Sequence, residues 1–124
     1  MKKVILTGAS DGLGRAFGQK CLENGVKVVA LCRTRPDYDC KFIQTDLENA
    51  ASMSMACEKI RNECGEFDVL VNCAGVQVVR ETGKIDYTGL ERLFRINTLA
   101  PIFLTSELFD RLKQFNADVL NVGS

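Results

Sequence analysis

Histidine is absent from the 124 residues, and the six cysteines, at 21, 32, 40, 57, 64 and 73, include no C-x-x-C pair. A zinc site therefore lacks its nitrogen ligands and its usual paired thiolates, and a disulfide framework is not expected. Cys21, Cys57 and Cys64 sit among apolar neighbours at helix-face spacing, which reads as small buried hydrophobes. An excess of charge is also missing. Lys+Arg number 16 and Asp+Glu 16, so no global field recruits nucleic acid or an anionic membrane. No apolar run approaches the roughly 18 residues of a membrane span, and the strand-like residues after Met1-Lys2-Lys3 are too few for a signal-peptide core. Repeats, low-complexity tracts and linkers are lacking. The expectation is one cytoplasmic unit, residues 1–124, with a small molecule as partner.

The most telling residue type present is glycine. Thr7-Gly8-Ala9-Ser10-Asp11-Gly12-Leu13-Gly14 follows the apolar run Val4-Ile5-Leu6 and leads into helical spacing. Glycines let a backbone turn tightly and approach a pyrophosphate, whose charge then faces the unpaired N–H groups of a helix N-terminus. Strand, phosphate loop and helix together predict a dinucleotide ligand.

Short runs rich in Val, Ile and Leu recur at Lys3–Thr7, Lys27–Cys32, Phe42–Gln44, Asp68–Asn72 and Asp118–Val122. Runs of that kind suit strands buried on both faces, and helical patterns between them make the sheet parallel. One helix is expected from about Gly12 to Asn24, with Leu13, Ala16, Phe17 and Cys21 inward and Gly25 as its stop. A second runs from about Asn49 to Cys64, burying Met53, Cys57, Ile60 and Cys64. Only residues 34–40 separate the second and third strands, too few for the usual crossover helix, which must be reduced or missing.

The last long helix starts with a cap at either Thr88, in a capping box with Glu91, or Asp86. Beyond it Leu90, Leu93, Phe94, Asn97, Leu104 and Leu108 share one face, which places the Asn97 amide among core positions. Pro101 comes four residues later; it cannot donate to the Asn97 carbonyl and its ring pushes against it. A kink with a free acceptor is expected at Asn97.

These residues resemble the short-chain dehydrogenase/reductase family, specifically its classical branch. The loop Thr7-Gly8-x-x-x-Gly12-x-Gly14 has that branch's three-residue gap, Asp46-Leu47 looks like its adenine-contacting pair, and Asn72-Cys73-Ala74-Gly75 matches its N-[N/C]-A-G motif. Asn97 falls where the family keeps the asparagine whose main-chain carbonyl holds a relay water. Asn121-Val122-Gly123-Ser124 looks like the motif ending in the catalytic serine. The resemblance implies a Rossmann-type doubly wound parallel α/β sheet, truncated here after its fifth strand. Catalytic roles fall to Ser124 and Asn97, and cofactor contacts to Gly8, Ser10, Gly12, Leu13, Gly14, Arg33, Asp46, Leu47, Asn72, Ala74 and Gly75. Asn72 could equally be a turn residue, and Asp46 a cap for the next helix.

The end of the second strand carries Cys32-Arg33-Thr34-Arg35 where an NAD enzyme would place a carboxylate. An arginine pairs bidentately with phosphate, so Arg33, with Arg35 second, implies NADP, with NAD as the alternative; Asp11 stands where many NADP-specific relatives carry a base. The short crossover and arginine loop are similar to some 3-oxoacyl carrier-protein reductases. The family's tyrosine, with a lysine four residues on, would lie beyond Ser124, and Tyr38 and Tyr87 are followed at that spacing by Phe42 and Glu91. The expected function is thus an NADP-dependent oxidoreductase for a small carbonyl or alcohol substrate, inactive as these residues alone; the alternative is a catalytically inactive nucleotide-binding or scaffold module. A fifth strand with an unpaired edge, and Leu108-Phe109 and Leu112 on the last helix, predict a homo-oligomer.

Overall fold

The computed structural model describes residues 1–76 and 83–123. Strands β1 (Lys3–Thr7), β2 (Lys27–Cys32), β3 (Lys41–Gln44), β4 (Val69–Asn72) and β5 (Asp118–Asn121) form one parallel sheet in the order β3-β2-β1-β4-β5. The order reverses between β1 and β4, which opens a crevice at the carboxyl ends of those strands.

Alternation along the strands divides the core in two. Ile5, Val29, Leu31, Ile43 and Leu70 point to the face covered by α2 (Ala50–Glu63), α4 (Ala100–Glu107) and α5 (Phe109–Phe115). Val4, Leu6, Val28, Ala30, Cys32 and Val71 point to the other face, where α1 (Gly12–Glu23) brings Cys21 and Phe17. As expected, no helix joins β2 to β3. Tyr38 and Cys40, from the connection itself, cover that part of the sheet instead.

Two expected faces hold only in part: Phe17 and Cys21 of α1, and Leu104 and Leu108 further on, pack inward as expected, and the other positions differ. Leu13 is 64% exposed and Ala16 is also exposed, whereas Gly14, Gly18 and Cys21 form the inner line of α1. The cause is distance: a Cβ on Gly14 would lie 2.6 Å from the carbonyl carbon of Gly8, so α1 approaches β1 too closely for a larger inward side chain. The long C-terminal helix is broken into α3 (Tyr87–Phe94), a π-helical turn over Arg95–Leu99, α4 and α5. A π turn adds a residue and shifts the helical phase of every later position. The halves before and after the turn therefore do not share one face: the buried stripe is Ile96, Ala100, Leu104, Leu108 and Leu112, while Leu90 and Phe94 before the turn, and Asn97 within it, are exposed. Of the two possible caps, Asp86 acts: its Oδ2 accepts from the Gly89 N–H at 3.2 Å.

The second helix holds the expected core, with Met53, Cys57 and Ile60 buried, Asn49 as N-cap and Gly65 beyond the end at φ +62°. Burial pushes the Cys57 thiol up to about 12, which fits the apolar role.

The observed burial gives a direct test. Leu104→Ala, at a fully buried site, should cost about 3 kcal/mol, while Leu13→Ala should stay within about 0.5 kcal/mol. Denaturant midpoints of the two variants check the assignment.

Candidate functional site

Each wall of the crevice has a mechanical reason. β1 ends in Gly8 at φ +65°, with Gly12 beyond it at φ +53°, a region that L side chains rarely adopt. Gly8 also has no room: a Cβ there would lie 2.7 Å from Ala74 Cα. The Thr7 hydroxyl, buried beneath, accepts from the N–H groups of both Cys73 and Ala74 at 3.0 Å. Thus the turn after β4 is tied to the turn after β1. Sequence reading missed Thr7, although a hydroxyl at the end of an otherwise apolar strand is a buried polar group that needs partners.

The result is a cleft of about 380 Å³ lined by Gly8, Ser10, Gly12, Leu13, Gly14, Arg33, Asp46, Leu47, Ala74 and Gly75, together with Asp11, Glu48, Arg92 and Ile96. Ten of the expected site residues therefore meet in one place. Leu13, wrongly placed in the core, is exposed on the cleft wall. Asn72 does not line the cleft: it is buried, its Nδ2 donates to Asn121 Oδ1 at 2.8 Å across the β4–β5 pair, and its own Oδ1 has no partner among the described residues. Ser124 lies outside the described residues.

Asn97 acts at one remove. Its Oδ1 accepts from the Val76 N–H and its Nδ2 donates to the Val76 carbonyl, both at 2.8 Å. An exposed amide in the π turn thus fixes the backbone just past Ala74-Gly75, which is a correction to the buried position expected for it. Pro101 has no N–H for the Asn97 carbonyl, and the Ala100 N–H reaches back to Arg95.

The helix termini differ in one respect that matters for a ligand. Asn49 Oδ1 caps α2 through the Ser52 N–H, and Asp86 caps α3, but the Asp11 side chain makes no cap hydrogen bond to α1. The first N–H groups of α1 therefore face the cleft without a protein acceptor from their cap. An anion suits that position. At the far end the Asp46 carboxylate accepts from the Glu48 N–H at 2.9 Å, and Glu48 pairs with Arg92 at 3.0 Å. Asp46 thus shapes its own turn as well as facing the cleft. No thiol in the cleft is activated: burial raises the Cys73 thiol, and burial chiefly raises Cys32 to about 11. Among the described residues no His/Cys/Asp/Glu cluster could hold a metal, and no helix is long and apolar enough to cross a membrane.

A parallel sheet in the order β3-β2-β1-β4-β5, with a glycine turn and an uncapped helix at its switch point, defines a Rossmann-type α/β protein. The chain belongs to the short chain dehydrogenase family, whose sequence profile it matches over residues 2–124. It is 34% identical to a benzil reductase ((S)-benzoin forming) of Bacillus subtilis, in an alignment covering 100% of this chain and 55% of that one. Two solved structures share the fold: a short chain dehydrogenase of Leptospira borgpetersenii with bound NAD+ (TM-score 0.91, 24% identity, 99% of this chain and 51% of that one) and one of Sphingobium yanoikuyae in complex with NADPH (TM-score 0.84, 24% identity, 100% and 54%). The chain spans about half the length of these relatives.

Proposed function

We propose that residues 1–124 are the nucleotide-binding half of an NADP-dependent oxidoreductase acting on a small carbonyl or alcohol substrate. The observation that carries this reading is the cleft itself: a glycine turn at which side chains are sterically excluded, an uncapped helix N-terminus behind it, and Arg33 at the β2 end. NADP, when bound, supplies or takes up the hydride. The residues of this chain supply the rest. Gly8, Ser10, Gly12, Leu13 and Gly14 cradle the pyrophosphate with main-chain N–H groups. Asp46 and Leu47 face the adenine, and Arg33 pairs with the 2′-phosphate. Ala74 and Gly75 keep the strand ends low enough for the cofactor to lie across them. Asn97 holds Val76 and presents a main-chain carbonyl for a relay water, while Ser124 hydrogen-bonds the substrate oxygen.

Neither tyrosine of the chain is a proton donor at this site: the Tyr38 phenol donates to the Ala9 carbonyl, and Tyr87 is exposed on α3. Calorimetric titration of the full-length protein with ADP-ribose, NAD and NADP is the test. All three should bind, NADP most tightly; absence of any binding overturns the reading.

The proposal includes a homo-oligomer, on a smaller surface than expected, because Leu108 and Leu112 are buried. Ile102 and Phe109 remain exposed beside β5, whose Val119 and Leu120 are exposed as well. Light scattering at micromolar concentration should give a mass above that of one chain; a monomer removes this part of the proposal.

A further inference from the structure

The connection from β2 to β3 contains no helix, yet it is fastened at several points. Arg15 of α1 holds Asp37 with two hydrogen bonds, Nε to Oδ1 at 2.9 Å and Nη2 to Oδ2 at 2.7 Å. The next residue, Tyr38, lies on α1 at Gly18, where a Cβ would come within 2.5 Å of the phenol Cζ. Its hydroxyl donates to the Ala9 carbonyl, inside the glycine turn, at 2.8 Å. The sequence distance is 29 residues, so this is a tertiary clamp and not a local turn.

Peptide geometry sets the consequence. The Ala9 carbonyl and the Ser10 N–H belong to one planar trans peptide and point in opposite directions. With the carbonyl held on the Tyr38 side, the N–H faces away from it, and Ser10 lines the cleft. Among the described residues the Ser10 N–H has no main-chain acceptor. We infer that Tyr38 is a positioning residue for nucleotide binding: its hydroxyl locks the Ala9–Ser10 peptide so that the Ser10 N–H is aimed at the phosphate-bearing part of the ligand. Resting on the proposed nucleotide site, this adds a residue from outside the glycine motif to it. Burial, with the neighbouring Cys40, Cys32 and Cys21, holds the phenol up to about 12, so the donor stays protonated at any working pH.

Tyr38→Phe tests this in the full-length protein, because it keeps the ring over Gly18 and removes only the hydroxyl. ADP-ribose binding should weaken about fivefold, the scale of one neutral hydrogen bond, and NAD and NADP should weaken by the same factor because the peptide serves the part they share. A purely structural role would lower the melting temperature and leave the Ser10 amide signal alone. Instead the Ser10 amide proton should move downfield with added inorganic pyrophosphate in the wild type and much less in the variant. Unchanged affinity with an unchanged Ser10 response overturns the inference while leaving the nucleotide site intact; a wild type that binds no ADP-ribose overturns both. Should Tyr38→Phe fail to fold, the wild-type response decides: a Ser10 shift supports the aimed N–H, and its absence overturns it.

Discussion

Gly14→Ala should abolish measurable nucleotide binding and destabilise the protein by about 3 kcal/mol, the upper range for forcing atoms into packed space. In an ordinary helix the same change would stabilise, since alanine is the better helix former by about 1 kcal/mol. Here the added Cβ would lie 2.6 Å from the carbonyl carbon of Gly8 and 3.3 Å from the Ala9 nitrogen. Both are backbone atoms and cannot rotate away. Gly8 cannot retreat either, because it is already against Ala74. The only relief is for α1 to back off from β1, which withdraws the N–H groups meant for the pyrophosphate. Gly12→Ala is the control. Gly12 has nothing within 4 Å of a Cβ, so its cost is the positive φ alone, about 1 kcal/mol. Denaturant unfolding and ADP-ribose titration of the two variants should separate them clearly; equal effects would mean that close helix–turn packing is not what Gly14 provides.

The same contrast explains what could be read from sequence. Strands buried on both faces announce themselves as continuous apolar runs, and turn glycines by their spacing, so β1, β2 and the phosphate turn were legible within a residue. The missing crossover helix was legible from chain length alone. Helix faces were less so. The inward line of α1 is set by how closely it approaches Gly8, and periodicity knows nothing of approach distance; Leu13 therefore looked like core and is cleft wall. In the C-terminal helix, the π turn at Arg95–Leu99 broke the register that placed Asn97 inside. Pro101 signalled a disturbance there but not its form. Thr7 and Tyr38 were missed for another reason. Their partners, the Cys73 and Ala74 amides and the Ala9 carbonyl, lie 29 or more residues away and carry no residue-type signal, since any residue has a main-chain N–H and C=O.

Arg33→Asp should invert the cofactor preference. Arg33 is exposed at the β2 end and lines the cleft, with its main chain held from both sides: Gln44 Nε2 donates to the Arg33 carbonyl at 3.4 Å, and the Cys32 thiol to the Thr34 carbonyl at 3.2 Å. Arg35, the second choice on sequence, is turned elsewhere; its guanidinium lies 5.2 Å from the centre of the Phe42 ring. On the proposed reading one arginine, Arg33, therefore carries the discrimination. Removing one member of a charge-assisted pair costs about 2–5 kcal/mol when it is desolvated, and solvent exposure puts Arg33 at the lower end, so NADP should weaken about 30-fold. NAD should gain, because a carboxylate at this position accepts from the ribose hydroxyls and repels only the phosphate. Asp11 also lines the cleft, and on the proposed NADP reading its carboxylate would repel a 2′-phosphate. Asp11→Asn should therefore tighten NADP alone, and only modestly. Both effects are between exposed charges, so the preference should shrink as ionic strength rises from 0.01 to 1 M and the screening length falls from about 30 to 3 Å. Calorimetric titration of wild type and both variants at two salt concentrations measures all of this. If wild-type protein binds NAD as tightly as NADP at low salt, Arg33 does not read the phosphate, and the cofactor assignment reverts to NAD.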